Sequence, residues 1–129
     1  MSITEIGRDG EKRARVVLKN TFCVDYIFQA DWMIQKNGDW YVVEVKCKEA
    51  FDPPPFRGHG LNAYQADMRM KFYKETGIRC LFLVFDLSGD TYWQWLDILE
   101  KTRHFTTRNG VRIYNLEHFT RLNMAKRAV

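Results

Sequence analysis

Near the start of the chain, Ala14, Val17 and Leu18 recur at helical spacing, while Arg8, Lys12, Arg13, Arg15 and Lys19 fall mostly elsewhere. This spacing predicts an amphipathic helix over residues 4–20. Glu11 shares the apolar stripe with Ala14 and Leu18, and a carboxylate on that side needs a cationic partner. From Asp25 the pattern turns β-rich. Residues 26–34 and 40–47 read as two strands around Lys36-Asn37-Gly38-Asp39, and Asn-Gly between apolar strands predicts a tight antiparallel hairpin. After the short Asp52-Pro53-Pro54-Pro55 stretch, which reads as a loop, Tyr64, Met68 and Phe72 set a second helix over residues 61–76. Gly77 is placed to cap it.

The run Arg79-Cys80-Leu81-Phe82-Leu83-Val84-Phe85 reads as a central strand covered on both faces. Residues 92–99 predict another strand, residues 111–114 a third that completes the sheet edge, and Asn115 an N-cap for a short helix over 116–122. The expected order is α-β-β-α-β-β, then β-α. This is an α/β chain with a mixed sheet of four or five strands flanked by helices, organised as one domain over residues 1–129.

Composition narrows the class. Hydrophobic residues make up 46% of the 129 positions and charged residues 28%, which disfavours disorder, collagen and coiled coil. No apolar run is long enough for a membrane span, and Met1-Ser2-Ile3-Thr4-Glu5 does not resemble a signal peptide. The expectation is a cytoplasmic protein, or a viral one acting in host cytoplasm. Cys23, Cys47 and Cys80 are odd in number and widely spaced, so they read as reduced and mostly buried rather than as a disulfide or zinc framework.

The net charge of +4 is unevenly spread. Lys101, Arg103, Arg108, Arg112, Arg121, Lys126 and Arg127 face one acid, Glu117, after residue 100, a net of +6. The first hundred residues therefore sum to −2. A basic end suits phosphate contact.

The acidic part carries the candidate chemistry. Glu44 and Lys46 lie two apart on the second hairpin strand and so share a sheet face, with Asp31 on the first strand. Val42, Val43, Val45 and Cys47 surround the charged pair; desolvating it costs several kcal/mol per ion unless a metal or partner compensates. Two carboxylates suit a hard divalent cation such as Mg²⁺ or Mn²⁺, and an adjacent lysine suits phosphoryl oxygens or the attacking water. The implied chemistry is phosphodiester hydrolysis.

Asp31 and, across the hairpin, Glu44-Val45-Lys46, with Glu11 on the preceding helix and Gln65 on the following one, resemble the PD-(D/E)xK nuclease superfamily. Ile6-Gly7-Arg8-Asp9-Gly10-Glu11 looks most like the helix opening of archaeal-type Holliday-junction resolvases. The resemblance spans residues 7–85. It departs at Ala30, where the superfamily has proline, and in the Phe51 to Gly60 insertion. It implies a restriction-endonuclease-like αβββαβ core and a metal-dependent DNA endonuclease. Asp31 and Glu44, with the backbone carbonyl of Val45, would hold the metal; Lys46 would be the catalytic lysine; Glu11 would be a metal-water or second-site ligand. Gln65 would position phosphate from close by.

The implied substrate is branched DNA cut by a homodimer. Restriction-type, repair or phage nucleases on flap or duplex DNA share the motif, and a non-catalytic DNA-binding module and an RNA nuclease are further alternatives. Candidate phosphate contacts are Arg8, Arg57, His59, Arg69, Lys101, Arg108 and Arg112. Gly58-His59-Gly60 reads as a solvated loop, Tyr64 as core, Arg69 as a surface cation, and His104 and His118 as structural.

Overall fold

The computed structural model describes the backbone of residues 3–122 and the side chains of residues 9–122. In chain order the elements are α1 (Ile3–Asn20), β1 (Trp32–Lys36), β2 (Asp39–Lys48), β3 (Gly58–Asn62), α2 (Ala63–Thr76), β4 (Cys80–Asp86) and β5 (Thr91–Trp95). They continue with α3 (Leu96–Glu100), β6 (His104–Thr106), β7 (Val111–Asn115), a 3₁₀ turn (Leu116–His118) and β8 (Thr120–Leu122). The result is a mixed α/β architecture whose main sheet has five strands in the order β1-β2-β4-β5-β8.

The hairpin turns where the Asn-Gly pair requires it. Asn37 and Gly38 both have positive φ, 52° and 86°, and β1 pairs antiparallel with β2, Trp32 opposite Val43 and Lys36 opposite Asp39. The first strand begins at Trp32, later than the β-rich run beginning at residue 26 suggests. The earlier residues are held by side chains instead of a ladder. Phe28 stacks on Phe72 with centroids 4.1 Å apart, and Tyr26 Oη donates to the Met68 carbonyl at 3.0 Å.

Helix α2 starts two residues later than its periodicity suggests, because Leu61 and Asn62 finish β3 and the Asn62 side chain caps the helix by accepting from Tyr64 N. It stops at Gly77, whose φ of 77° closes the last turn on the Tyr73 carbonyl. β2 and β4 run parallel, with Glu44 beside Phe82 and Lys46 beside Val84. The crossover through β3 and α2 that joins them supplies the layer above the site.

A second sheet, β3-β7-β6, was not foreseen. The strand at residues 111–115 is its centre, not the edge of the main sheet; β8 forms that edge, and only a 3₁₀ turn stands where a short helix was expected, capped by Asn115 accepting from Glu117 N. Likewise the strand expected through Leu99 ends at Trp95, where α3 begins. Gly58 and Gly60 explain how a glycine-rich stretch makes a strand. A Cβ on Gly58 would stand 2.0 Å from the Tyr114 carbonyl oxygen, and one on Gly60 2.0 Å from that of Arg112, so only glycine permits this approach.

The core lies between the main sheet and the layer of α2 and the small sheet. Val42, Phe82 and Val84 meet Leu61, Ala66, Leu96, Leu99, Tyr114 and Phe119 there. The opposite sheet face departs from expectation, since β4 is central but covered on one side among the described residues. Leu81 and Leu83 are half-buried and Phe85 is exposed. Tyr41, Leu81, Leu83, Trp93 and Trp95 line an apolar depression of about 680 Å³. Helix α1, expected to bury its stripe, instead leaves Ala14, Val17 and Leu18 exposed, and Glu11 is exposed with them. Cys23 and Cys47 are exposed too, and only Cys80 is buried. No helix among the described residues is long and apolar enough to cross a membrane.

Candidate active site

β2 aims Val42, Glu44, Lys46 and Lys48 at the layer occupied by α2 and the small sheet. Glu44 is 1% exposed in the midst of that apolar face, and burial raises its carboxyl above the ordinary value, with the neighbouring charge of Asp31 adding to the rise and Arg69 and Lys46 opposing it. Asp31 immediately precedes β1 and is exposed. One residue beyond the pairing of Trp32 with Val43, it sits across from Glu44, and its Oδ2 accepts from Val45 N at 3.0 Å. That bond fixes the carboxylate over the strand carrying Glu44 and Lys46.

The partner that Glu44 requires comes from α2. Arg69 Nε donates to Glu44 Oε1 at 2.6 Å, and Nη2 lies 2.5 Å from the same oxygen. The guanidinium carbon is 4.6 Å from the centroid of the Phe28 ring. Arg69 is thus buried and Tyr64 is 70% exposed, the reverse of the expectation for both. The helix face that meets the sheet passes through Ala66 and Arg69, three residues apart, and this turns Tyr64 outward. A buried glutamate was itself the signal for such a cation, but helical spacing alone did not single out Arg69.

Above the carboxylates opens a groove of about 400 Å³ lined by Arg15, Gln29, Asp31, Tyr64, Gln65 and Arg69, among others. Gln65 is half-buried there. Arg15 of α1 donates to Gln29 Oε1 and is a groove residue that sequence reasoning missed. Glu44 and Lys46 lie outside this lining, and so does Glu11, which is exposed on α1; no three His, Cys, Asp or Glu side chains cluster to ligate a metal among the described residues. Two carboxylates and the Val45 carbonyl remain as a hard-oxygen donor set. It fits an ion that keeps most of its waters, as Mg²⁺ does. The fit rests on these oxygen donors, since Arg69 pairs with Glu44 and the Lys46 charge also acts on it, and Arg69 competes for Glu44.

The basic candidates divide by environment. Arg57, Lys101 and Arg108 are exposed. Arg112 is not presented to solvent as a phosphate contact: its Nη1 bonds Glu100 at 2.6 Å and Asp67 at 2.9 Å, and these bonds outweigh burial to raise its pKa. His59 is no loop residue. It is 1% exposed on β3 and bonded to Asp86, so it cannot reach a phosphate. His104 and His118 lie near Glu100 and Glu117. The Arg8 side chain, Lys126 and Arg127 lie outside the described residues.

No family model matches the chain, and no curated protein matches it. Among solved structures it is similar to Hjc of Archaeoglobus fulgidus, a Holliday junction resolvase from an archaeal hyperthermophile. The TM-score is 0.45 at 11% sequence identity, covering 81% of this chain and 86% of that chain.

Proposed function

We propose that this chain is a metal-dependent DNA endonuclease. The observation that supports it is the placement of Asp31, which lines a polar groove, across from Glu44, with Lys46 two residues further along the same strand face. Asp31, Glu44 and the Val45 carbonyl would hold Mg²⁺ or Mn²⁺. When bound, such an ion polarises the scissile phosphate and makes its water a stronger nucleophile. Lys46 orients the attacking water and offsets charge growing on the phosphoryl oxygens. Gln65 donates to a non-bridging oxygen from α2. As the resemblance implies, the water oxygen bonds to phosphorus as the P–O3′ bond breaks; O3′ leaves and takes up a proton, giving a 3′ hydroxyl, and the phosphate stays on the 5′ oxygen of the next sugar.

Branched DNA, a four-way junction cut by a homodimer, is the substrate to which the motif resemblance points, since paired nicks need two sites related by a two-fold axis. A panel of junction, flap, single-stranded and plain duplex DNA tests it in Mg²⁺. The junction is cut fastest, and Lys46→Ala lowers the rate by about 10²–10³ without unfolding the protein. Sequence-specific duplex cutting as the preferred reaction would sink the resolvase reading, and undiminished cleavage by Lys46→Ala would sink the site. One observation favours a second reading. The Glu44 and Arg69 pair satisfies the buried carboxylate without metal, as a non-catalytic DNA-binding module would. Calorimetry with Mg²⁺ separates the two, because such a module takes up no metal at Asp31 and Glu44.

A further inference from the structure

Arg69 does two things that a purely structural ion pair does not require together. Its guanidinium is clamped on one oxygen of a buried glutamate, and the same residue lines the open groove beside Asp31 and Gln65. The clamp is well built. The side chain is 6% exposed, and Phe28, itself stacked on Phe72, lies against the cation. Asp31 and Glu44 present two negative charges; Arg69 pairs with Glu44 and the Lys46 charge acts on it from the same strand face, while Asp31 is held by the uncharged Val45 N–H.

A divalent cation shared by both carboxylates would supply two charges at once. Both Arg69 nitrogens sit on Oε1, so even an ion on the other oxygen would share one carboxylate with the guanidinium, and like charges that close repel strongly in a buried setting. Each therefore weakens the other's hold on Glu44. Arg69 has somewhere to go, because its helix borders the groove where a substrate phosphate would lie, and a planar guanidinium suits a phosphate at least as well as a carboxylate.

We propose that Arg69 is the resident counter-cation of the metal site: it holds Glu44 while no metal is bound, and a divalent ion at Asp31 and Glu44 displaces it into the groove to meet the substrate phosphate. This rests on the metal-site reading above. Linkage then makes metal and DNA help each other, since a phosphate that accepts Arg69 draws it away from Glu44 and so favours the ion. The arginine acts as a positioning residue that ties metal occupancy to substrate.

The test uses the whole protein and metal alone. In wild type, the Arg69 Nε–H resonance is protected from solvent exchange by its bond to Glu44; adding Mg²⁺ shifts it and removes that protection. Mn²⁺ titration followed by electron spin resonance gives roughly tenfold tighter binding for Arg69→Gln, within the range of ordinary coupling between sites. Arg69→Lys, which keeps a charge but loses the two-pronged grip, falls between. Arg69→Gln also gains more thermal stability from Mn²⁺ than wild type does, because the ion restores the missing counter-charge. Metal uptake that leaves the Arg69 resonance unmoved and the variants no tighter than wild type overturns the proposal and leaves the metal site standing. No uptake by any of these proteins beyond an Asp31→Asn blank removes the metal reading itself, and the proposal with it.

Discussion

His59 Nε2 lies 2.7 Å from Asp86 Oδ2, with both side chains essentially out of solvent, and this contact ties β3 of the small sheet to the end of β4 in the large one. The imidazole also faces Tyr92 and Phe119, with centroids 6.2 and 6.3 Å away. Burial lowers the His59 pKa, Asp86 opposes that, and Lys48 and Arg57 add to the lowering. The neutral ring donates from Nε2, and its buried Nδ1 has no partner.

The sign of the pH dependence follows. Unfolded, His59 titrates near its ordinary 6.5 and takes up a proton that the folded state declines. Stability therefore falls as pH drops below about 6.5, because the unfolded state then binds more protons. Asp86, pushed up by burial but pulled further down by bonds from Ser88 and His59, adds a second loss at more acid pH. Urea midpoints between about pH 7.5 and about pH 5.5 decline in wild type and change much less in His59→Gln, which is itself about 1–3 kcal/mol less stable. Equal slopes for the two proteins would show that His59 is not the group responsible.

The glycines give a sharper contrast. Ala at Gly60 would drive its Cβ into the Arg112 carbonyl, where backbone on both sides must shift, and the cost is about 3 kcal/mol or more. Gly10, inside α1 with nothing within 4 Å of an added Cβ, gains from Ala by about 0.5–1 kcal/mol of helix propensity. Chemical denaturation of Gly10→Ala and Gly60→Ala measures both. A Gly60→Ala protein as stable as wild type would mean that β3 and β7 are not so closely apposed.

That contrast separates what local sequence dictates in this fold from what packing decides. The hairpin, the cap at Gly77, the central β4 and the five-stranded mixed sheet follow from local signals: a turn pair that tolerates positive φ, a periodicity, an apolar run. Asp31 and Glu44 were legible as neighbours, because a hairpin register carries one strand onto the next. β3 was not, because Gly58-His59-Gly60 is a strand only through the close approach of β7, more than fifty residues later. Glu44's need for a cation was legible but its source was not, since which side of α2 meets the sheet is a matter of packing. The α1 stripe predicted a helix, which is present, and its burial, which is not: Ala14, Val17 and Leu18 stand exposed.

Thiol chemistry checks the burial assignments independently. Burial is the main reason the Cys80 thiol is pushed up to about 12; it stands on β4 within the core cluster, whereas Cys23 and Cys47 are exposed. Because the thiolate is the reactive form, a colorimetric disulfide reagent labels two thiols quickly in the native protein, and the third reacts only as the fold opens. Fast labelling of all three would contradict the packing around Glu44, since Cys80 lies on the same face.

The cations after residue 100 are of two kinds. Lys101 and Arg108 are exposed, and on the proposed nuclease reading they release counterions by meeting phosphates. Arg112 is pinned between Glu100 and Asp67 with its side chain 16% exposed, so its charge is already spent inside the fold. Measuring DNA affinity against salt, Lys101→Ala and Arg108→Ala each reduce the log–log slope by about one. Arg112→Gln leaves that slope unchanged and instead lowers folding stability by about 2 kcal/mol, because Glu100 loses a short charged hydrogen bond. If none of the three variants changes the slope, the net positive charge after residue 100 is not the phosphate-binding face of the proposed nuclease, and that reading then puts DNA on the side of Arg15 and the groove.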